Sequence, residues 1–237
     1  MLQIFYTYPY PLPAFTLARR DIMVSHWGSI SVDEFFIMSN EAAGIKGQFS
    51  RIDYMPLINP NQGQNAIASL VVDLPRYIDS LYYYDYIGNI STSHATRNSD
   101  VVEFTIEPRF PVFGQWKTDW NQSYSMPSQY HLFKDKADQS KFTLEIDLMH
   151  AYDKSLTQDF EASITLPEGA YDISLELASD VQPDSIVMDK YFGTMNYFGR
   201  PRITIKKSNA IHEICDSTLR VRYSFQNPIF AFVERFI

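Results

Sequence analysis

Apolar and polar residues alternate with a period of two along much of this chain. Val102, Phe104 and Ile106 alternate with Glu103, Thr105 and Glu107; Phe142, Leu144, Ile146 and Leu148 alternate with Thr143, Glu145 and Asp147. Ala162, Ile164 and Leu166 interleave with Ser163 and Thr165, and Leu219, Val221, Tyr223 and Phe225 with Arg220, Arg222 and Ser224. Nearer the N-terminus, Ile22, Val24, His26, Gly28, Ile30 and Val32 fall on one side of an extended chain. Met23, Ser25, Trp27, Ser29, Ser31 and Asp33 fall on the other. Successive strand side chains point to opposite faces, so each run predicts a strand with one face in a core and one in water. Such one-sided strands bury their apolar faces against a second sheet, which predicts an all-β, antiparallel β-sandwich.

Turn residues separate the runs. Asn59-Pro60-Asn61-Gln62-Gly63 reads as a polar loop, and Gly88-Asn89, Glu168-Gly169 and Gly199-Arg200-Pro201 suit tight turns. Short helices are expected only at 134–141 and 209–216. Residues 1–18 read as an extended, aromatic segment broken by Pro9, Pro11 and Pro13. A faint internal echo links Leu74-Pro75 and the later Tyr86-Ile87-Gly88-Asn89 to Leu166-Pro167 and the later Tyr197-Phe198-Gly199-Arg200. It suggests two small β modules in tandem, 19–110 and 111–237, with a boundary near 109–115. One continuous domain is the alternative.

The 237 residues suffice for one large domain or two small ones. Apolar residues make up 45% and charged residues 20%, which favours a packed core over disorder. A net charge of −8 argues against nucleic acid as a partner. A single cysteine, Cys215, excludes an internal disulfide and a cysteine-based zinc site. No uninterrupted apolar run reaches the ~18–20 residues of a membrane-spanning helix. The basic pair Arg19-Arg20 follows the apolar N-terminal stretch, the reverse of a signal peptide.

A search for chemistry finds little. The histidines, His26, His94, His131, His150 and His212, never fall at metal-ligand spacing, and His212 with Cys215 makes only two ligands. Ser25-His26 and Ser93-His94 are neighbours that a strand sends to opposite faces. Glu103 and Glu107 share a polar face and read first as solvated, while Asp180, Asp184 and Asp189 lie in a stretch read as loop; the sequence brings no specific pair of them together as a glycosidase needs, and that enzyme stays the third reading. Phosphate-binding loops are absent. No catalytic, metal or cofactor residue is therefore assigned. Between 200 and 222, six basic residues (Arg200, Arg202, Lys206, Lys207, Arg220 and Arg222) face only Glu213 and Asp216. The stretch reads first as a solvated strand face; contact with lipid headgroups or an anionic partner is the alternative. Two sequons, at Asn89 and Asn121, are candidate glycosylation sites if the chain enters the secretory pathway.

Six segments then point to a family. Ser25-His26-Trp27-Gly28-Ser29-Ile30-Ser31-Val32-Asp33-Glu34 is followed by 46–54 (KGQFSRIDY), 82–94 (YYYDYIGNISTSH), 107–117 (EPRFPVFGQWK), 166–170 (LPEGA) and 198–201 (FGRP). In that order they resemble the ribophorin I family, with Ser29 standing where the family would have Asn. The resemblance implies a non-catalytic subunit of the endoplasmic-reticulum oligosaccharyltransferase, on the luminal side of the membrane. A separate catalytic subunit transfers a lipid-linked oligosaccharide to Asn-X-Ser/Thr. Implied partners are that subunit, the other subunits and the nascent polypeptide. A full member carries a signal peptide, an earlier luminal domain and a membrane helix, so this chain reads as the second luminal half. Trp27, Arg200, Arg202, Arg220 and Arg222 are the candidate partner contacts, since Trp and Arg dominate interface energetics. A free carbohydrate-binding β-sandwich is the alternative function.

Overall fold

Strands make up nearly all the regular structure of the computed structural model, which describes residues 10–45, 47–49, 65–152, 155–178, 181–193, 198–211 and 217–225. They are β1 (Pro13–Val24), β2 (Ser29–Asn40), β3 (Leu70–Pro75), β4 (Asp79–Asp85), β5 (Gly88–Asn89), β6 (His94–Arg97), β7 (Val101–Ile106) and β8 (Lys117–Pro127). After a single 3₁₀ turn at Ser128–Tyr130 come β9 (Leu132–Lys134), β10 (Lys141–Asp147), β11 (Leu156–Thr165), β12 (Tyr171–Glu176), β13 (Ser185–Tyr191), β14 (Arg200–Ile211) and β15 (Thr218–Ser224).

Eight strands form one large sheet in the order β13-β14-β11-β1-β2-β8-β4-β5. Two smaller sheets, β12-β15-β10-β9 and β3-β7-β6, lie against its inner face. Ile22, Val32, Ile164, Ile203, Tyr124 and Trp120 of the large sheet join Val72, Phe104, Leu144 and Val221 of the smaller ones in one buried cluster. The sandwich is thus built as the alternation predicts. β7 shows the burial pattern of a one-sided strand, with Val102, Phe104 and Ile106 inside and Glu103 in solvent. In β15, Leu219, Val221 and Tyr223 are inside and Arg220 and Arg222 outside.

Several expectations need correction. The alternating run 22–33 is not one strand but a hairpin, with Val24 paired to Ile30 and Ile22 to Val32. Paired positions share the same parity, so the alternation keeps its phase through the turn and hides it. Gly28 holds a φ of +103° there, where a side chain would be strained. Residues 134–141 form the connection between β9 and β10 rather than a helix; Asn209–Ile211 belong to β14, and 212–216 lie outside the described residues. Asp189 is a strand residue of β13, and Pro201 sits in β14 opposite Lys190. The predicted loop 59–63 lies outside the described residues. Residues from Pro13 onward, read as part of the leading segment, already belong to β1. Ser163 and Thr165 are buried at 3% and 4% although they face away from the core, because β11 lies in the middle of the large sheet and its neighbours crowd them.

Among the described residues one pair is parallel, β1 with β11, running from Ala14↔Leu156 to Met23↔Thr165. Strands from both sides of residue 110 interleave in the large sheet, so the boundary expected near 109–115 falls within a shared hydrogen-bonded framework. Leu74-Pro75 closes β3 in the three-stranded sheet, whereas Leu166-Pro167 follows β11 in the large one.

Among the described glycines, Gly114 marks the tightest backbone approach. A Cβ built there would lie 2.0 Å from the Ala43 carbonyl oxygen and 2.7 Å from that of Ala42. Backbone cannot yield as a side-chain tip does. Gly114→Ala is expected to cost about 1–3 kcal/mol through overpacking, read as a lowered urea midpoint with an unchanged m-value.

Candidate functional site

The segments that carry the family resemblance meet one another in space. Phe49 packs on Phe113 and Trp116 at centroid distances of 5.2 and 5.5 Å, and Phe110 approaches Trp116 at 6.0 Å. Arg109 donates two hydrogen bonds to Asp85, at 2.7 and 2.8 Å, from the loop after β7 to the end of β4. The backbone N–H groups of Ile87 and Gly88 also donate to Asp85, and this shapes the β4–β5 turn. The Arg109 bond, with the two backbone donors, holds the Asp85 carboxyl at about 2. Glu107 N–H donates to Ser93 Oγ at 3.0 Å. Glu168 accepts from the Phe198 N–H, and Arg200 donates to the carbonyls of Leu166 and Val24 at 2.9 and 2.7 Å. These residues act as ties between loops, which explains polar and aromatic motif residues without invoking a reaction.

The β1–β2 turn carries a second such tie. His26 lies stacked on Phe225 at 4.4 Å, meets Phe142 edge-on at 4.6 Å, and has its Nε2 3.2 Å from the Tyr223 hydroxyl. Burial, aided by the nearby Lys134 charge, pulls the His26 imidazole down to about 4 from 6.5. A lowered folded value means the unfolded chain binds the extra proton first as pH drops. The stabilisation is therefore complete above pH 6.5 and is lost as pH falls through about 4. Urea midpoints are expected to fall across that window by about 1–2 kcal/mol equivalent, allowing for partial exposure, and a His26→Phe variant to flatten the curve.

The basic stretch is largely neutralised by facing carboxylates. Arg202 pairs with Asp189 through two bonds at 2.9 and 2.6 Å. Lys206 meets Glu161 at 3.1 Å, Lys207 meets Asp184 at 3.4 Å, Arg220 meets Glu145 at 2.8 Å and Arg222 meets Glu176 at 2.8 Å. The acidic partners come from β10, β11, β12, β13 and the residue before β13, beyond the reach of local sequence. Trp27 sits in the β1–β2 turn rather than on a sheet face, and 43% of it is exposed. Asn89 is exposed in β5, and Asn121 lies partly exposed in β8.

No group of three His, Cys, Asp or Glu residues with metal-binding geometry occurs among the described residues, and His212, Cys215 and Asp180 lie outside them. Glu103 is exposed in β7, and Asp184 accepts the Ser208 N–H at 2.6 Å. A crevice of about 320 Å³ opens where the three sheets meet, lined in part by Arg20, Asp73, Tyr124, His131, Asp147 and His150.

Behind that crevice lies a buried polar row that the sequence reading passed over. Arg20 pairs with Glu34, the Gln122 amide donates to Glu34 at 2.5 Å, and the Tyr152 hydroxyl donates to Gln122 at 2.6 Å. Burial raises the Tyr152 phenol well above its ordinary range, which keeps the donating proton in place. The clue was available: Arg20 is in phase with Ala18 and Ile22, and Glu34 with Val32 and Phe36, so both charges fall on the inner face.

Comparison with known proteins places these features. The family described as ribophorin I matches residues 1–235. Dolichyl-diphosphooligosaccharide–protein glycosyltransferase subunit 1A of Arabidopsis thaliana is 35% identical over 217 residues, covering 90% of this chain and 34% of that protein. Subunit 1B of Oryza sativa subsp. japonica is 31% identical, covering 91% of this chain and 44% of the relative. Subunit 1 of Caenorhabditis elegans is 33% identical, with 85% and 33% covered. The chain thus spans less than half the length of these relatives. A zinc metallopeptidase from Deinococcus radiodurans superposes with a TM-score of 0.46 at 11% identity, over 88% of this chain and 42% of that one, too loose a likeness to bear on function.

Proposed function

The chain belongs to the ribophorin I family, and from that premise we propose that it works in protein N-glycosylation as part of a non-catalytic subunit of the oligosaccharyltransferase. In this reading it lies on the luminal side of the endoplasmic-reticulum membrane, attached through the family's anchor. It braces the catalytic subunit that transfers the lipid-linked oligosaccharide to Asn-X-Ser/Thr. The observation that carries the reading is the match to relatives named as subunit 1 across about nine-tenths of the chain. The geometry of the motifs supports it, because their polar groups are engaged in holding loops together.

Trp27 is the preferred contact with the other subunits, as a large, amphipathic side chain presented at the tip of a turn. Arg202, Arg220 and Arg222 border the surface as rim charges, each already paired. Arg200 shapes the same region by anchoring two backbone carbonyls.

Immunoprecipitation from mild-detergent membrane extracts, read by mass spectrometry, tests this. Recovery of the catalytic oligosaccharyltransferase subunit is the expected result, and its consistent absence would overturn the proposal. A Trp27→Ala variant is expected to recover the complex at least roughly tenfold less well, with its melting temperature unchanged.

A further inference from the structure

The outer face of the large sheet divides by chemistry. On the β14–β11–β1 side it carries the ion pairs of Lys206 and Arg19 with Glu161. On the β2–β8–β4–β5 side aromatic and uncharged polar side chains predominate, with Asp33 and Asp119 among them. The register there aligns Phe35, Asn121, Tyr84 and Asn89 in one row across four strands. The adjacent row aligns Asp33, Ser123 and Tyr82. Both sequon asparagines therefore project from one face and flank the same tyrosine. With neighbouring strands about 4.8 Å apart, they stand roughly 10 Å from each other.

We propose that Asn121 is N-glycosylated and that the first sugars of its glycan lie on the shelf formed by Tyr82 and Tyr84. The inference rests on the luminal placement proposed above. Asn121 and Ser123, the two side chains a sequon needs, share the outer face. Gln122 between them points inward, fully buried and bonded to Glu34 and Tyr152. The Asn121 amide makes no hydrogen bond with another described residue, whereas the buried Asn40 amide donates to the carbonyls of Asn65 and Val112. Beside Asn121 an open pocket of about 340 Å³ is lined by Arg19, Asp21, Asp33, Phe35 and Tyr84. Tyr82 and Tyr84 are 58% and 41% exposed, about 7 Å apart along β4. Their rings suit the C–H face of a pyranose, and Arg19, Asp21 and Asp33 can bond its hydroxyls. A covered aromatic shelf also removes an apolar patch from solvent.

In the modification, the Asn121 amide nitrogen attacks the anomeric carbon of a lipid-diphosphate-linked oligosaccharide. A C–N bond forms and the C–O bond to the diphosphate breaks; the lipid diphosphate leaves with the electron pair, and the amide proton passes to a base. Asn121 lies in a strand paired on both sides, so transfer precedes the docking of β8 between β2 and β4.

The test uses the protein immunopurified from membranes, treated with peptide N-glycosidase F in ¹⁸O water, which labels each formerly glycosylated asparagine. Label at Asn121 as well as Asn89 is expected. Label at Asn89 alone overturns the proposal while leaving the luminal reading intact; label at neither overturns both. In a second arm, the native protein is treated with an endoglycosidase. The Asn121 glycan is expected to be released about five- to tenfold faster in a Tyr82→Ser/Tyr84→Ser variant than in the parent. Equal rates would overturn the packing of the glycan on the shelf.

Discussion

A Glu34→Ala variant is expected to lose about 3–5 kcal/mol of stability, because it strands a buried arginine without its counter-charge. Arg20 is 5% exposed and Glu34 2% exposed, and Arg20 Nε already lacks a partner among the described residues. A guanidinium does not escape by losing its proton, so the whole desolvation cost remains. The Gln122 amide loses its acceptor in the same stroke, and Tyr152 loses the group that orients its own acceptor. For a chain of this size the melting temperature should drop by about 6–20 °C. Glu34→Gln should fall less, because it keeps an acceptor. The double variant Arg20→Met/Glu34→Leu should recover most of the loss, since a well-packed apolar pair avoids the burial of charge. If Glu34→Ala melted like the parent, the buried row would contribute nothing to stability.

Trp120→Ala is expected to cost about 3–5 kcal/mol by another route, the loss of a large buried side chain and the cavity left behind. Trp120 is 1% exposed and lies at the centre of an aromatic group. Its ring stands 5.3 Å from Phe36, 6.1 Å from Phe15 and 6.0 Å from Tyr152. Phe15 and Phe36 in turn pack on His150, 5.2 and 5.4 Å away. The loss should appear in the urea midpoint, and Trp120→Phe should retain more than half of the stability difference. Trp120→Ala and Glu34→Ala share the neighbour Tyr152, so their effects should not add.

The two sites differ in how far the sequence announces them. Trp120 is in phase with Gln122, Tyr124 and Met126, and all four face the core. Nothing local, however, says that Phe15 from β1 and Tyr152 from the loop before β11 will meet it. Arg20 and Glu34 fall inside by phase, but nothing local says that they will stand opposite each other on β1 and β2.

The sequence by itself determined which residues of most strands face inward, because a two-residue period is a property of the extended backbone alone. It also determined the turn at Glu168-Gly169 and the family, since the six segments occur in order whatever their pairing; the turn expected at Gly88-Asn89 falls instead at Tyr86-Ile87, and Gly88-Asn89 pair back on β4 as β5. The tertiary structure decided what pairs with what. A period of two names a face but not a neighbour, so the parallel β1–β11 pair and the hairpin hidden at 25–28 emerged only from the register. It likewise decided the fate of the charges. The basic stretch of 200–222 finds acids on β10, β11, β12 and β13 and just before β13, and Arg109 finds Asp85 across 24 positions of chain. Such pairs depend on separation in space, which strand order sets and local composition does not encode.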